Sequence, residues 1–277
     1  MKTIGKYRLV AEIKRGDQMI TYRGYDPDLE KIVLNKVATT PISDSSPALQ
    51  RLQKEGKIYQ RIQHPNIARL IETGVDGLYP YLVLEFIDGI TLRQAISQYA
   101  PLPQDITLFC LVDILEGLEH IHKKGLIHLD LKPENLMLDI RGSVKICDFD
   151  LALSPGEQVH GPKGLTGSLG YMSPEMILGQ PVGPRSDLFS VGAIVYEMLT
   201  GARPFQMDSA ENELKAIIHR KPVAIGQILT EISPLLTDLL ESFLAKAPDS
   251  RPENAGAALS ALKKQVNLPP KKERNAR

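Results

Sequence analysis

The sequence predicts an α+β protein with a small, sheet-rich lobe followed by a larger helical lobe. Strand-like segments crowd residues 7–40, and helical periodicity takes over from about residue 91. A chain of 277 residues with 43% hydrophobic content is long enough for two packed lobes, each with its own core.

Tyr7-Arg8-Leu9-Val10, Ile20-Thr21-Tyr22-Arg23 and Ile32-Val33-Leu34 read as strands, with turns at Gly16-Asp17 and Asp26-Pro27-Asp28. Residues 47–63 read as a helix carrying Leu49, Leu52, Tyr59 and Ile62 at helical spacing. Leu78 to Ile87 reads as a further strand pair, and the lobe boundary falls near Asp88-Gly89. Residues 104–123 predict a long helix with Ile106, Phe109, Leu118 and Ile121 on one face. Lys123-Lys124-Gly125 closes it with the charge and the glycine that a helix C-terminus favours. Residues 187–199 predict an almost wholly apolar, and therefore buried, helix.

Thirty-three basic and 33 acidic residues give zero formal net charge, which argues against a nucleic-acid partner. The basic run lies in the tail, residues 266–277, and reads as a solvated end. Cys110 and Cys147 sit in apolar segments and read as reduced thiols. The N-terminus lacks the apolar run of a signal peptide, and the apolar stretch Leu188–Leu199 is too short for a membrane segment. The expectation is a soluble, cytoplasmic protein.

One acidic residue stands out. Glu55 lies on the stripe of Leu52, Tyr59 and Ile62, where a carboxylate is costly unless it reaches water or meets a cation. Lys36, ending the apolar strand Val33-Leu34-Asn35-Lys36, needs a partner too. A Lys36–Glu55 ion pair would satisfy both and would hold an ammonium where it can grip a phosphate.

Further on, His128-Leu129-Asp130-Leu131-Lys132-Pro133-Glu134-Asn135 follows the long helix, and Val144-Lys145-Ile146-Cys147-Asp148-Phe149-Asp150 forms an apolar strand ending in carboxylates. Asp130, Asn135 and Asp148 thus lie on two adjacent loops. Phosphoryl transfer needs such a set: a carboxylate to orient the attacking hydroxyl and oxygen ligands for Mg²⁺.

These segments resemble the catalytic and metal loops of eukaryotic-type serine/threonine protein kinases, usually written HRDLKPEN and DFG. The resemblance runs over residues 7–265, with the motifs in the family's order. It implies a bilobal kinase fold with an N-lobe at 7–87 and a C-lobe at 88–265, ATP and Mg²⁺ as cofactors, and a protein substrate. On the matching positions, Asp130 would orient the substrate hydroxyl and Lys132 would steady the transferring phosphate. Asn135 and Asp148 would hold Mg²⁺, and Lys36 would grip the α- and β-phosphates with Glu55 as its partner. Leu84 would be the gatekeeper, Glu85-Phe86-Ile87 the hinge that reads adenine, and Ile13 and Met137 the residues that sandwich it. Gly167 to Glu175 resembles the peptide-docking segment, which small-molecule phosphotransferases lack. Glu175 would pair with Arg251, and Asp187 would bond the catalytic-loop backbone.

Four departures qualify the resemblance. The three phosphate-loop glycines fall at Lys14, Gly16 and Met19, and the adenine roof has Thr21 for valine and Leu34 for alanine. ATP affinity is expected to be weakened. Asp150 replaces the metal-loop glycine, either adding to divalent-metal binding or facing solvent. Leu129 replaces the arginine that normally reads a phosphorylated activation loop, so activity is expected not to depend on phosphate at Thr166 or Ser168. Gly56 interrupts the Glu55 helix, which suggests mobility and a regulatory protein partner. The alternative to an active kinase is a pseudokinase acting as a signalling scaffold. The retained Lys36, Glu55, Asp130, Asn135 and Asp148 outweigh the lost glycines, because this catalysis is mostly positioning and charge neutralisation.

Overall fold

A computed structural model describes residues 2–41, 47–157 and 169–265. The chain divides into two compact units, one comprising Met1–Asp88 with Asp148–Asp150, the other Gly89–Cys147 with Leu151 onward.

The first unit is built on a six-stranded antiparallel sheet. Its strands are β1 (Thr3–Ile4), β2 (Tyr7–Arg15), β3 (Met19–Asp26), β4 (Lys31–Ala38), β5 (Leu70–Asp76) and β6 (Tyr79–Glu85). They run in the order β1-β2-β3-β4-β6-β5, and helix α1 (Pro47–Arg61) packs on β5 and β6. Alternation decides the faces: in β3, Ile20, Tyr22 and Gly24 are buried while Arg23 is exposed. Tyr7, Tyr22, Val33, Tyr81 and Val83 form the core of one face. There the hydroxyls of Tyr7 and Tyr81 both donate to Glu72, at 2.7 and 2.8 Å.

Three expectations need correction. Leu78–Ile87 is not a strand pair; it holds β6, whose partner is β5 at Leu70–Asp76. That strand lies at the sheet edge with no residue fully buried, so it lacks the apolar alternation that would reveal it. The helix read over 47–63 ends at Arg61. Gly56 also has a packing reason: a Cβ there would lie 2.9 Å from the Thr73 Cγ2 atom, so glycine lets α1 approach β5 closely.

The second unit is helical with one small sheet. Strand β7 (Gly89–Thr91) is followed by α2 (Leu92–Tyr99) and α3 (Gln104–His122), and β7 joins β8 (Leu136–Asp139) and β9 (Val144–Ile146) in a three-stranded antiparallel sheet. Then come α4 (Pro174–Ile177), α5 (Pro184–Thr200), α6 (Ala210–His219), α7 (Ile225–Ile228), α8 (Pro234–Phe243) and α9 (Ala255–Gln265). Helix α5 is buried from Ser186 to Leu199. Helix α3 has no single apolar stripe: Cys110 to Leu115 are buried all round, while Ile106, in the first turn, is 41% exposed. Phe109 and Leu118 lie about two and a half turns apart and so project to opposite sides. The helix ends as expected, with Gly125 at a left-handed φ of 70°.

A buried ion pair fastens this unit. Arg251 grips Glu175 through two bonds of 2.7 and 3.0 Å, and the Ser186 hydroxyl donates to Glu175 at 2.7 Å. Burial alone would push the Glu175 carboxyl up, but Arg251 and Ser186 outweigh it and hold the group below its ordinary value. Nearby, Phe189 and Phe205 stack with centroids 5.9 Å apart, and the Lys246 ammonium sits 3.5 Å from the Phe205 centroid. Burial and the neighbouring Arg251 push Lys246 down to about 7.

Gly89 is required where β7 meets β8. A Cβ would fall 2.0 Å from the Leu138 carbonyl oxygen and 2.8 Å from Asp139 Cα, both backbone atoms. Gly89→Ala is expected to destabilise by about 3 kcal/mol, measured by urea unfolding. For Lys246 the folded value lies below the unfolded 10.5, so the unfolded chain binds the extra proton between about pH 7 and about pH 10. Stability from this group therefore rises with pH across that window, and Lys246→Met is expected to flatten the rise in urea midpoints measured between about pH 7 and about pH 9.

Candidate active site

Each unit gathers one cluster of the expected residues. In the first unit, β4 presents Leu34 and Lys36 on one face, two residues apart. The register sets Thr21 opposite Lys36 and Leu84 opposite Leu34, so the four side chains share that face. Lys36 Nζ lies 2.6 Å from Glu55 Oε1 and 2.9 Å from Asp148 Oδ1. The expected pair is thus present, and the carboxylate on the apolar stripe of α1 is buried against it, with 4% of its side chain exposed. Burial would lower the Lys36 value, but Asp148 and Glu55 overcome it and hold the ammonium protonated.

The metal loop is fixed from α1. The Phe149 N–H donates to Glu55 Oε1 at 3.3 Å, and the Asp148 N–H donates to the Tyr59 hydroxyl at 3.1 Å. The Tyr59 and Phe149 rings meet edge to face with centroids 5.0 Å apart. Asp148 has a φ of 67°, a left-handed conformation that aspartate tolerates. The second function of Tyr59 escapes a reading of periodicity, which sees a core residue; its place one turn after Glu55 is the only signal. Asp150 reaches toward Arg51 of α1 at 4.0 Å. Lys14, Gly16, Met19, Thr21, Arg51 and Asp150 line a cavity of about 150 Å³ with Lys36, Glu55 and Asp148. The turn between β2 and β3 closes by a Gly16 N–H to Met19 carbonyl bond of 2.9 Å. Ile13 on β2 is 53% exposed, while Glu85 and Ile87 are half-buried. The Glu85 N–H is engaged by the Arg69 carbonyl.

In the second unit, Lys132 Nζ lies 2.7 Å from Asp130 Oδ2. Asn135 Nδ2 donates to the same oxygen and to the Asp130 carbonyl, each at 2.9 Å. Two side chains of one loop are therefore locked around the carboxylate of a third. Beneath them, Asp187 at the start of α5 accepts the N–H groups of His128 and Leu129, each at 2.9 Å, and pairs with His122 Nε2 at 2.9 Å. Leu129 holds a φ of 61°, strained for a leucine, and the Asp187 bond secures it there. Met137 is half-buried on β8. Ser168, Gly167 and Thr166 lie outside the described residues, as does the tail from residue 266.

Each unit thus carries oxygen ligands of the kind a hard divalent cation prefers, Asp148 in the first and Asn135 in the second. Each also holds a lysine ammonium against a carboxylate, Lys36 in the first and Lys132 in the second.

Comparison with known proteins places the chain in a family. The model of the protein kinase domain family matches residues 7–265. The chain is 32% identical to the serine/threonine-protein kinase PknL of Mycobacterium tuberculosis over 268 residues, 95% of this chain and 67% of that protein. It is 36% identical to the probable serine/threonine-protein kinase PknB of Lactococcus lactis over 244 residues, 87% of this chain and 38% of that protein. A probable serine/threonine-protein kinase of Streptomyces coelicolor is 32% identical over 258 residues, 91% of this chain and 38% of that protein. The chain belongs to the protein kinase family, on its serine/threonine side.

Proposed function

We propose that this domain transfers the γ-phosphate of ATP to serine or threonine hydroxyls of protein substrates. The observation that carries this reading is the buried Lys36 ammonium held between Glu55 and Asp148 at 2.6 and 2.9 Å. A cation so placed binds polyphosphate without having to be ordered first.

The roles follow from the contacts. Lys36 draws in the α- and β-phosphates, and Asn135 and Asp148 hold Mg²⁺. When bound there, the cation would supply charge neutralisation for the transfer. Ile13, Gly16, Thr21, Leu34, Leu84, Glu85, Ile87 and Met137 receive the nucleotide. Asp130, its Oδ2 fixed by Lys132 and Asn135, orients the substrate hydroxyl and takes its proton. The hydroxyl oxygen bonds to the γ-phosphorus as the bond to the ADP oxygen breaks, and Lys132 offsets the charge on the moving phosphoryl group. The kinase domain spans residues 7–265 in this reading, with the lobe boundary along the chain near Asp88-Gly89.

A cytoplasmic location belongs to the same proposal, supported by Cys110 and Cys147 remaining as thiols outside any disulfide among the described residues. Among the described residues no helix is long and apolar enough to cross a membrane. A regulatory protein would act through α1, since that helix carries Glu55, Tyr59 and Arg51 to the metal loop.

The test is Mg²⁺-dependent transfer of labelled phosphate from ATP to the chain itself and to a generic basic protein. Asp130→Asn is expected to lower transfer by about a hundredfold or more while thermal stabilisation by Mg-ATP persists. No transfer and no stabilisation of the unaltered chain would support the scaffold instead. Leu129 has no charge to read a phosphate, so alanine at both Thr166 and Ser168 is expected to leave the rate within about a factor of two. Loss of transfer in that double variant, with its melting temperature unchanged, would refute independence from loop phosphorylation.

A further inference from the structure

A heavily bonded charge outside the proposed site is Arg93, the second residue of α2. Its Nε donates to Glu134 Oε1 at 2.8 Å, and its Nη1 donates to Glu197 Oε1 at 2.8 Å. Its Nη2 reaches Glu197 Oε2 at 3.4 Å and also bonds the Tyr171 hydroxyl. The Tyr171 hydroxyl donates in turn to Glu197 Oε2 at 2.5 Å. One guanidinium thus joins three segments besides its own: the turn at Pro133–Asn135, the turn at Leu169–Tyr171, and α5.

The placement of these acceptors has consequences. Glu134 directly precedes Asn135, whose amide bonds Asp130, and Tyr171 lies two residues before Ser173-Pro174-Glu175. Glu197 is buried, with 7% of its side chain exposed, and Arg93 is the only cation in salt-bridge contact with it among the described residues. A carboxylate buried so deeply requires a cation. Glu134 and Arg93 keep 44% and 29% of their side chains exposed, so the place is reachable from solvent. Two carboxylates and a phenol oxygen arranged around three guanidinium nitrogens make an arginine-binding site, one that a lysine could not fill at all three acceptors.

We propose that Arg93 is a specificity-determining residue: its guanidinium fills from within the chain an acidic site beside the catalytic loop and the docking segment, and thereby bars a substrate arginine from it. The proposal rests on the kinase reading above. The preferred substrates then carry no arginine requirement next to the phosphorylated hydroxyl. Removing Arg93 vacates the site and creates such a requirement, because an incoming arginine restores the lost bonds.

The test uses the full chain, Arg93→Ala, and the charge-neutral double variant Arg93→Met with Glu197→Gln. Peptide pairs differ at one position near the acceptor serine, arginine in one and its uncharged isostere citrulline in the other. The unaltered chain is expected to use both about equally, whereas Arg93→Ala is expected to favour arginine by about tenfold in kcat/KM at one position. The double variant is expected to show no preference. In a separate arm, ethylguanidinium, which replaces the missing part of the side chain, is expected to raise the melting temperature of Arg93→Ala and of neither other protein. If Arg93→Ala fails to fold, its recovery on adding ethylguanidinium supports the proposal and its failure to recover overturns it. An arginine preference already present in the unaltered chain, or an Arg93→Ala protein indifferent to both arginine and ethylguanidinium, overturns it too. If no protein transfers phosphate to any peptide, the kinase reading fails, and the ethylguanidinium arm still decides whether the site is there.

Discussion

A lysine ammonium closed between two carboxylates is the constraint on which the first unit depends. Lys36 has 13% of its side chain exposed and Glu55 has 4%, so the burial of each charge is offset by opposite charge beside it, Asp148 also holding Lys36. Satisfying both fixes β4 against α1. The same Glu55 oxygen accepts the Phe149 N–H, and Tyr59, one turn along, accepts the Asp148 N–H. The pair therefore sets the helix and, through it, the loop at Asp148–Asp150.

In the second unit a buried aspartate plays the corresponding part. Asp187 turns two consecutive backbone N–H groups toward itself and holds Leu129 in a left-handed conformation. That geometry presents Asp130 to its partners Lys132 and Asn135. The residue at position 129 contributes backbone shape here, which explains how leucine serves where the related motif has arginine. The eroded phosphate loop has a similar logic. A Cβ on Gly16 would meet nothing closer than 3.5 Å, so the hairpin itself does not demand the glycine it retains.

How much of this was legible in the sequence varied with distance along the chain. Glu55 announced itself because a charge on an apolar stripe is a local contradiction, and Lys36 was the nearest charge able to resolve it. The catalytic-loop cluster was legible because its three side chains lie within six consecutive positions, Asp130 to Asn135. Arg93 was not, because its partners lie 41, 78 and 104 residues away and nothing local marks an exposed helix arginine as special. Strand β5 stayed hidden because an edge strand need not alternate. Gly56 invited a reading of mobility, yet its reason is the methyl group of Thr73 on a neighbouring strand.

The Glu175–Arg251 clamp carries a consequence for how the chain acquires its structure. Its partners are 76 residues apart, and both are buried. Until Arg251 has left the ribosome, Glu175 has no guanidinium to meet and the packing around it cannot close. The hairpins β2–β3 and β3–β4, by contrast, join neighbours in sequence and can form as soon as they emerge. The sheet can therefore form before the helical core closes, and a chain cut short of residue 251 would leave Glu175 without the guanidinium that pairs it in the complete chain.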